Sequence, residues 1–205
     1  MLPNWLPAAA IGVIVVASAI RMLDVARRHG VRAYGFDQDA HVQGVTALLF
    51  RIGVVGVIAC AGLAWHSPAT AVALGQPEWA AAPVLRWTAA ALLVGSPALV
   101  VAAQVQMGAS WRIGVPREGP GALVAHGLFA WSRNPIFVGM IGAAFGVFLW
   151  SPHIGSAAVL ALAWAAIAIQ VRLEEKALRA AHGDAYEHYA AHVGRWFGRR
   201  DMHRC

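Results

Sequence analysis

Charged residues are scarce in this chain, and their scarcity sets the first limit on its fold. Asp, Glu, Lys and Arg make up 13% of the 205 residues, whereas 59% are hydrophobic. An average soluble domain has roughly 25% charged residues, so the composition excludes an ordinary soluble globular domain. Cysteine is rarer still, with two residues. Cys60 lies within an apolar run and Cys205 in the tail, too far apart in the expected topology to form a disulfide.

The sequence also lacks the common motifs of soluble enzymes. It contains no G-x-G-x-x-G, no P-loop, no G-x-S-x-G and no H-E-x-x-H pattern. Neither a Rossmann-type cofactor domain nor a nucleophilic hydrolase site is therefore expected. His188 and His192 have the four-residue spacing of metal ligands on a helix, but no third ligand lies near them in sequence. We therefore expect no bound metal.

The apolar residues are gathered into long runs and do not follow an amphipathic period. Each run approaches the ~20 residues that an α-helix needs to cross ~30 Å of hydrocarbon. A backbone in lipid must satisfy its own hydrogen bonds, and the run lengths exclude barrel strands. We therefore predict an all-α integral membrane protein with about five transmembrane helices, at residues 6–23, 45–65, 84–107, 135–150 and 155–171.

The basic residues indicate the orientation of these spans. No Lys or Arg precedes the first run, and Arg21, Arg27, Arg28 and Arg32 follow it, so we expect a span and not a cleavable signal peptide. The positive-inside rule then places the N-terminus outside and, after five spans, the C-terminus in the cytoplasm. Arg86 is near the outer face. The net charge of +6 predicts contact with anionic lipid headgroups and not with nucleic acid.

The remaining segments complete one membrane domain over residues 1–205. A loop at 108–134 and a tail at 172–205 are both expected on the cytoplasmic side. The tail is predicted to form a helical cap that is interrupted at Gly183.

Two sets of residues within the spans predict helix packing. Gln104 and Gln106 end the third span and need hydrogen-bond partners in a dry setting. Gly142 and Gly146 in the fourth span have the small-xxx-small spacing that permits close helix approach.

Two polar segments border the last two spans. Arg133-Asn134-Pro135 begins the fourth span, where a helix N-terminus offers N–H groups and an Asn side chain to a ligand. A plain helix start with an interfacial arginine explains this segment equally well. Glu174 and Glu175 follow the fifth span, and a solvated helix end is the alternative to a role in binding a cation. Because the two spans form a hairpin, both segments are expected at the same membrane face.

Together the two segments resemble the isoprenylcysteine carboxyl methyltransferases, a membrane family that is related to the phospholipid N-methyltransferases and uses S-adenosylmethionine. The family pattern is approximately L-V-x-x-G-x-Y-x-x-x-R-H-P-x-Y, a helical hairpin, and E-E-x-x-L-x-x-x-x-G-x-x-Y-x-x-Y. The matching positions, with the hairpin spacing between them, are Leu123, Val124, Gly127, Phe129, Arg133, Asn134, Pro135, Phe137, Glu174, Glu175, Leu178, Gly183, Tyr186 and Tyr189.

The resemblance implies a site for S-adenosylmethionine between the loop, the start of the fourth span and the acidic pair. Aromatic faces there would add cation–π contact with the sulfonium group. The cofactor-binding residues that it implies are Gly121, Ala122, Leu123, Val124, Phe129, Asn134, Pro135, Ile136, Phe137 and Glu174.

The chain departs from the family pattern at several of these positions. Asn134 stands where the family has histidine, and Phe129 and Phe137 stand where it has tyrosine. Gln170 occupies the place of an arginine that meets the substrate in members acting on prenylcysteine, and Arg172 lies two residues further on. We take Gln170 and Arg172 as the candidate substrate-binding residues.

The expected function is S-adenosylmethionine-dependent methyl transfer to a lipophilic acceptor at the cytoplasmic membrane face, in contact with membrane lipids. The acceptor group is a prenylcysteine-like carboxylate, a lipid amine or a thiol. An amine or thiol must lose a proton, and Glu175 is the candidate to take it. An NADPH-dependent membrane reductase of sterol-like substrates and a non-enzymatic small membrane protein are the alternatives. The excess of Arg over Lys favours a bacterial origin, so we expect the membrane to be a bacterial cytoplasmic membrane.

Overall fold

The computed structural model describes residues 2–29, 34–36, 41–115 and 119–199. Parts of the predicted cofactor loop and tail, at 116–118 and 200–205, lie outside these residues, as do Arg32 and Cys205. The elements are α1 (Leu6–His29), β1 (Tyr34–Phe36), α2 (His41–His66), α3 (Pro68–Ala73), α4 (Pro83–Met107), β2 (Ile113–Val115), α5 (Pro135–Trp150), α6 (Ile154–His182) and α7 (Asp184–His192), with short 3₁₀ helices at Glu78–Ala81, Gly108–Ser110 and Gly127–Ala130.

The predicted fold class is confirmed. By length and composition, α1, α2, α4 and α6 can each cross a membrane, and α5 is a shorter apolar helix of 16 residues. The fourth span is predicted with the same bounds as α5. By contrast, α1 and α6 continue beyond the predicted spans to His29 and His182, because their polar last turns remain good helix formers outside lipid. A short parallel pair of β1 with β2 was not predicted.

Successive long helices run in opposite directions, so their termini gather at two distinct ends of the bundle. Here the proximal end is the one at which α5 begins, and the distal end is the one at which α5 stops. At the distal end the Arg86 guanidinium donates to the carbonyl of Trp150 at 2.9 Å and lies 4.2 Å from the centre of its ring. Because Arg86 also reaches Asn4, this contact ties α4 to the end of α5 and to the start of the chain.

The glutamines predicted to need partners both have them. Gln104 donates to the Ser18 hydroxyl at 2.8 Å and so links α4 to α1. Gln106 accepts from the backbone N–H of Leu128 at 2.8 Å, which attaches the loop before α5 to the end of α4. Gly127 has a φ of +58°, and a Cβ there would lie 2.5 Å from the Gln106 side chain. Glycine is therefore required where this loop approaches α4.

The most extensive helix–helix interface joins α4 and α5, and glycines make it close. A Cβ at Gly139 would lie 2.6 Å from Val100, and one at Gly142 would lie 2.5 Å from the Ser96 hydroxyl. Gly146 packs in the same way against Leu93. The predicted small-residue face of the fourth span is therefore the face that brings α5 against α4.

Replacing Gly139 with alanine is expected to destabilise the bundle by about 1–3 kcal/mol, because the added methyl group overpacks the α4–α5 interface. Thermal unfolding in detergent, followed by circular dichroism, measures the effect. Gly95→Ala on α4 is the matched control, since nothing lies within 4 Å of a Cβ at that position. Equal melting temperatures for the two variants would contradict the close-packing argument.

Candidate functional site at the start of α5

The backbone N–H groups at the start of α5 have no side-chain cap. Proline at position 135 occupies the first helical turn, and the Asn134 side chain does not cap the helix. Instead it donates to the carbonyl of Arg195 at 3.2 Å, while its backbone N–H donates to the Ser132 hydroxyl at 3.1 Å. The first-turn N–H groups of α5 therefore point without a side-chain cap toward the space in front of the helix.

A recess of about 70 Å³ lies in front of this helix start. Its walls come from the end of α4, the loop before α5, the first turn of α5, and facing residues of α6 and α7. The lining residues are Met107, Ala122, Leu123, Val124, Phe129, Arg133, Asn134, Pro135, Ile136, Phe137, Glu174, Leu178, Tyr186 and Tyr189. Segments far apart in sequence thus converge on the polar end of α5.

A second, larger cavity of about 370 Å³ lies inside the bundle. It is surrounded mainly by apolar side chains of α1, α2, α5 and α6, and its polar and charged lining residues include Ser18, Gln104, Arg112, Gln170 and Glu174. Met107, Ile136, Phe137 and Glu174 line both spaces, so the recess and the larger cavity adjoin at these residues.

Glu174 stands where the two spaces meet. The Gln170 amide donates to its Oε1 at 2.8 Å, and the two residues are one turn apart on the same face of α6. No ion pair of Glu174 occurs in the described part of the chain. A carboxylate among apolar walls is costly to leave uncompensated, so this position favours a cationic ligand.

Glu175 has a different environment, although it is the next residue. Its side chain is 4% exposed, and Arg195 binds it from two nitrogens, with Nη2 at 2.7 Å from Oε2. The Arg133 Nη2 lies 3.5 Å from Oε1. Successive helical residues are rotated by about 100°, which turns Glu175 away from both spaces and toward the tail.

The tail after α7 is held against the start of α5 by this ion pair and by backbone contacts. Arg133 donates its backbone N–H to the carbonyl of Gly194 at 3.0 Å, and Val193 pairs with Arg199 in an antiparallel bridge. The Trp196 ring lies against Trp164 of α6, with centroids 5.5 Å apart. We call the segment from Val193 to Arg199 the clasp.

Comparison with known families places the chain. Residues 84–185, about half of it, match the family model described as phospholipid methyltransferase. The chain belongs to this family. No curated protein and no solved structure matches it.

Family membership and the apolar helices together make the protein an integral membrane methyltransferase with a lipid-type substrate. The matched residues run from the start of α4 to the first turn of α7. They include every lining residue of the recess except Tyr186 and Tyr189, so the site lies almost wholly within the family domain. Both α1 and α2 lie wholly outside it.

The methyltransferase brings together nearly all the residues predicted for the cofactor. The recess is lined by the predicted residues Ala122, Leu123, Val124, Phe129, Asn134, Pro135, Ile136, Phe137 and Glu174. Gly121 is the exception, because it lies behind the residues that line the recess. A Cβ there would be 2.8 Å from Ser110, and its carbonyl lies 3.0 Å from the His182 ring. Gly121 therefore shapes the loop from outside the recess.

Of the two predicted substrate residues, the structure brings one to the larger cavity. Gln170 is 3% exposed and lines it. Arg172 is exposed and lines neither space. Two residues of helix correspond to a rotation of about 200°, so Arg172 points away from the face that carries Gln170 and Glu174. The geometry does not support contact of Arg172 with a ligand in the cavity.

Sequence reasoning gave Arg133, Leu178, Tyr186 and Tyr189 no role at the cofactor, although all four belong to the matching pattern. Tyr186 is fully buried, and the Tyr189 hydroxyl donates to the carbonyl of Phe129 at 2.7 Å. Burial raises the pKa of both phenols, so both stay neutral. The Tyr186 hydroxyl accepts from Arg133 Nη1 at 3.4 Å, and the two tyrosines fasten α7 to the loop. Met107 also lines both spaces, and nothing in the sequence marks it.

The histidines of α7 lie away from the recess. The His188 and His192 rings are 4.4 Å apart, and His192 Nδ1 contacts the His188 carbonyl. Within the residues that the structure describes, no group of three His, Cys, Asp or Glu side chains is placed to hold a metal ion.

Proposed function

We propose that this protein transfers the methyl group of S-adenosylmethionine to a lipophilic acceptor at the cytoplasmic face of a membrane. The observation that carries the proposal is the junction at Glu174, where the recess at the start of α5 adjoins an apolar cavity inside the bundle. A water-soluble cofactor and a membrane-soluble acceptor can meet there from opposite sides. The basic residues near the proximal end support a cytoplasmic orientation.

The chemistry of the recess fits the cofactor. S-adenosylmethionine supplies an activated methyl group on a positively charged sulfur. Glu174 offers a carboxylate whose described polar partner is the neutral Gln170 amide, and the rings of Phe129 and Phe137 line the recess with faces that attract cations. Sites for ligands of this size usually measure about 300–1,000 Å³. The recess of about 70 Å³ therefore takes one part of the molecule, and the rest lies against the proximal surface.

Positioning and desolvation are the main contributions of the protein to such a reaction. Methyl transfer needs the acceptor atom in line with the bond that breaks, and a fixed junction between two spaces provides that alignment. The apolar lining of the larger cavity excludes water from the acceptor.

The junction also bears on the acceptor group. A carboxylate acceptor would face the negative charge of Glu174 beside the neutral Gln170. Arg112 also lines the cavity, but it donates to the carbonyls of Ala109 and Trp111, so the junction favours an amine or a thiol. Such an acceptor must lose a proton. Glu174 borders both spaces, whereas Glu175 is occupied by Arg195 and Arg133. Glu174 is therefore the better placed of the two carboxylates to take that proton.

A cofactor comparison tests the proposal. In detergent, S-adenosylmethionine at 100 times its dissociation constant is expected to stabilise the protein by about 2.7 kcal/mol, which raises the melting temperature by roughly 5–10 °C. NADPH is expected to have no effect. Radioactive methyl transfer into lipids extracted from cells that overproduce the protein then identifies the acceptor.

Stabilisation by NADPH alone would overturn the proposal in favour of a membrane reductase. No shift with either cofactor would favour a protein without enzymatic activity. Glu174→Gln removes the charge at the junction and keeps the side-chain size. This variant should lose the stabilisation by S-adenosylmethionine.

A further inference from the structure

The larger cavity has the dimensions of a site for one hydrocarbon chain. On α6 its lining runs from Ala163 to Glu174, a length of about 16 Å at ~1.5 Å per residue, or roughly half of a ~30 Å hydrocarbon core. Its volume is about 370 Å³. Carbon–carbon bonds of about 1.5 Å arranged in a zigzag give a chain of about a dozen carbons the length of this lining.

The distal end of the cavity is closed by packed side chains. Its deepest lining residues are Ile11 of α1, Val57 of α2, Ala144 of α5 and Ala163 of α6. Beyond them lies the core cluster that includes Ala61. Because protein cores are close-packed, a chain that enters from the proximal end cannot extend past this layer.

The side of the cavity opens toward lipid next to α1. At this level α1 is tied to α4 through Ser18 and Gln104, while Gly53 brings α2 against α6. The cavity lies between these two helix pairs. Val15 and Ala19 line it and are also exposed on the surface of the bundle, so an amphiphile can enter sideways from the membrane.

We infer that this cavity binds a single hydrocarbon chain of the methyl acceptor, with the polar head at Gln170 and Glu174, and that Ile11 and Ala144 set the longest chain that fits. The naming of this ligand as the acceptor rests on the proposed function, whereas binding of the chain does not require methyl transfer. A two-chain lipid would leave its second chain in the bilayer. The segments with no family match, α1 and α2, thus supply one side of the acceptor site.

Native mass spectrometry of the protein with an equimolar ladder of lysophosphatidylethanolamines, with chains of about 10 to 18 carbons, tests the inference. Nonspecific apolar binding strengthens steadily with chain length. We expect retention to peak at about 12 carbons instead, because a longer chain exceeds the length of the cavity. Ala144→Leu should move the peak to shorter chains by about two to three carbons, and Ile11→Ala should move it to longer chains by a similar amount.

The matched controls are Ala165→Leu and Val13→Ala, which make the same kind of change at exposed positions of α6 and α1 and should leave the peak unchanged. Retention that rises with chain length in every variant would overturn the inference, as would a peak that does not move in Ala144→Leu and Ile11→Ala. Because no cofactor is present, a failure of methyl transfer would leave this readout intact, and the two proposals fail separately.

Discussion

Replacing Glu174 with alanine is expected to abolish detectable binding of S-adenosylmethionine. The carboxylate borders both the recess and the larger cavity, and within the described residues its one polar partner is the neutral Gln170 amide. A hydrogen bond or contact between charged groups in such surroundings contributes about 2–4 kcal/mol. Its loss corresponds to a dissociation constant weaker by about 30- to 800-fold. Isothermal titration calorimetry in detergent measures the affinity directly.

The control for this variant is Glu187→Ala. Glu187 lies on the exposed part of α7, where it pairs with Arg179, and it lines neither space. Surface ion pairs contribute little to stability, so this variant should keep the affinity and the melting temperature of the parent protein. Unchanged affinity in Glu174→Ala would show that the site is assigned wrongly.

Replacing Glu175 with alanine is expected to cause the largest loss of stability of any single change considered. The Arg133 side chain is 7% exposed, and the variant would leave it next to Arg195 with no negative charge between them. Breaking a buried ion pair by removing one partner costs about 3–5 kcal/mol. In a protein of this size we expect the melting temperature to fall by about 10 °C, measured by thermal unfolding without cofactor.

The same experiment decides between two roles for Glu175. A residue that accepts a proton in the reaction could be changed to glutamine with normal folding and lost activity. A residue that anchors the clasp should lose stability in Glu175→Gln too, and Arg195→Ala should lower the melting temperature in the same direction. A parent-like melting temperature in both variants would contradict the anchoring role.

The membrane architecture could be predicted from the sequence because the lipid bilayer, which acts as the solvent, imposes it. A run such as Pro135–Trp150 has few alternatives to a helix in lipid, and its predicted bounds are those of α5. The convergence of the start of α5 with Glu174 was also predictable, since an antiparallel hairpin returns the chain to the face it left. Glycine spacing in the same helix indicated the close α4–α5 interface.

The separate roles of Glu174 and Glu175 could not be read from the sequence in the same way. Both carboxylates are adjacent in sequence, and only the rotation of α6 relative to its neighbours decides which one faces the recess. The partner that occupies Glu175 is Arg195, twenty residues further on and across a second helix. No local sequence pattern predicts such a pair. The larger cavity is likewise a property of the spaces between α1, α2, α5 and α6, which hydrophobicity alone does not show.

The clasp implies an order in which the parts of this site fold during synthesis. A chain grows from its N-terminus, and earlier parts begin to fold while later parts are still being made. The helices α4, α5 and α6 are complete before Arg195 exists, and among the described residues made by then Arg133 and Glu175 are each other's charged partners. When Gly194 and Arg195 emerge, they join the backbone of Arg133, the amide of Asn134 and the Glu175 carboxylate at once. The start of α5 therefore acquires its final geometry only after Gly194 and Arg195 have been made.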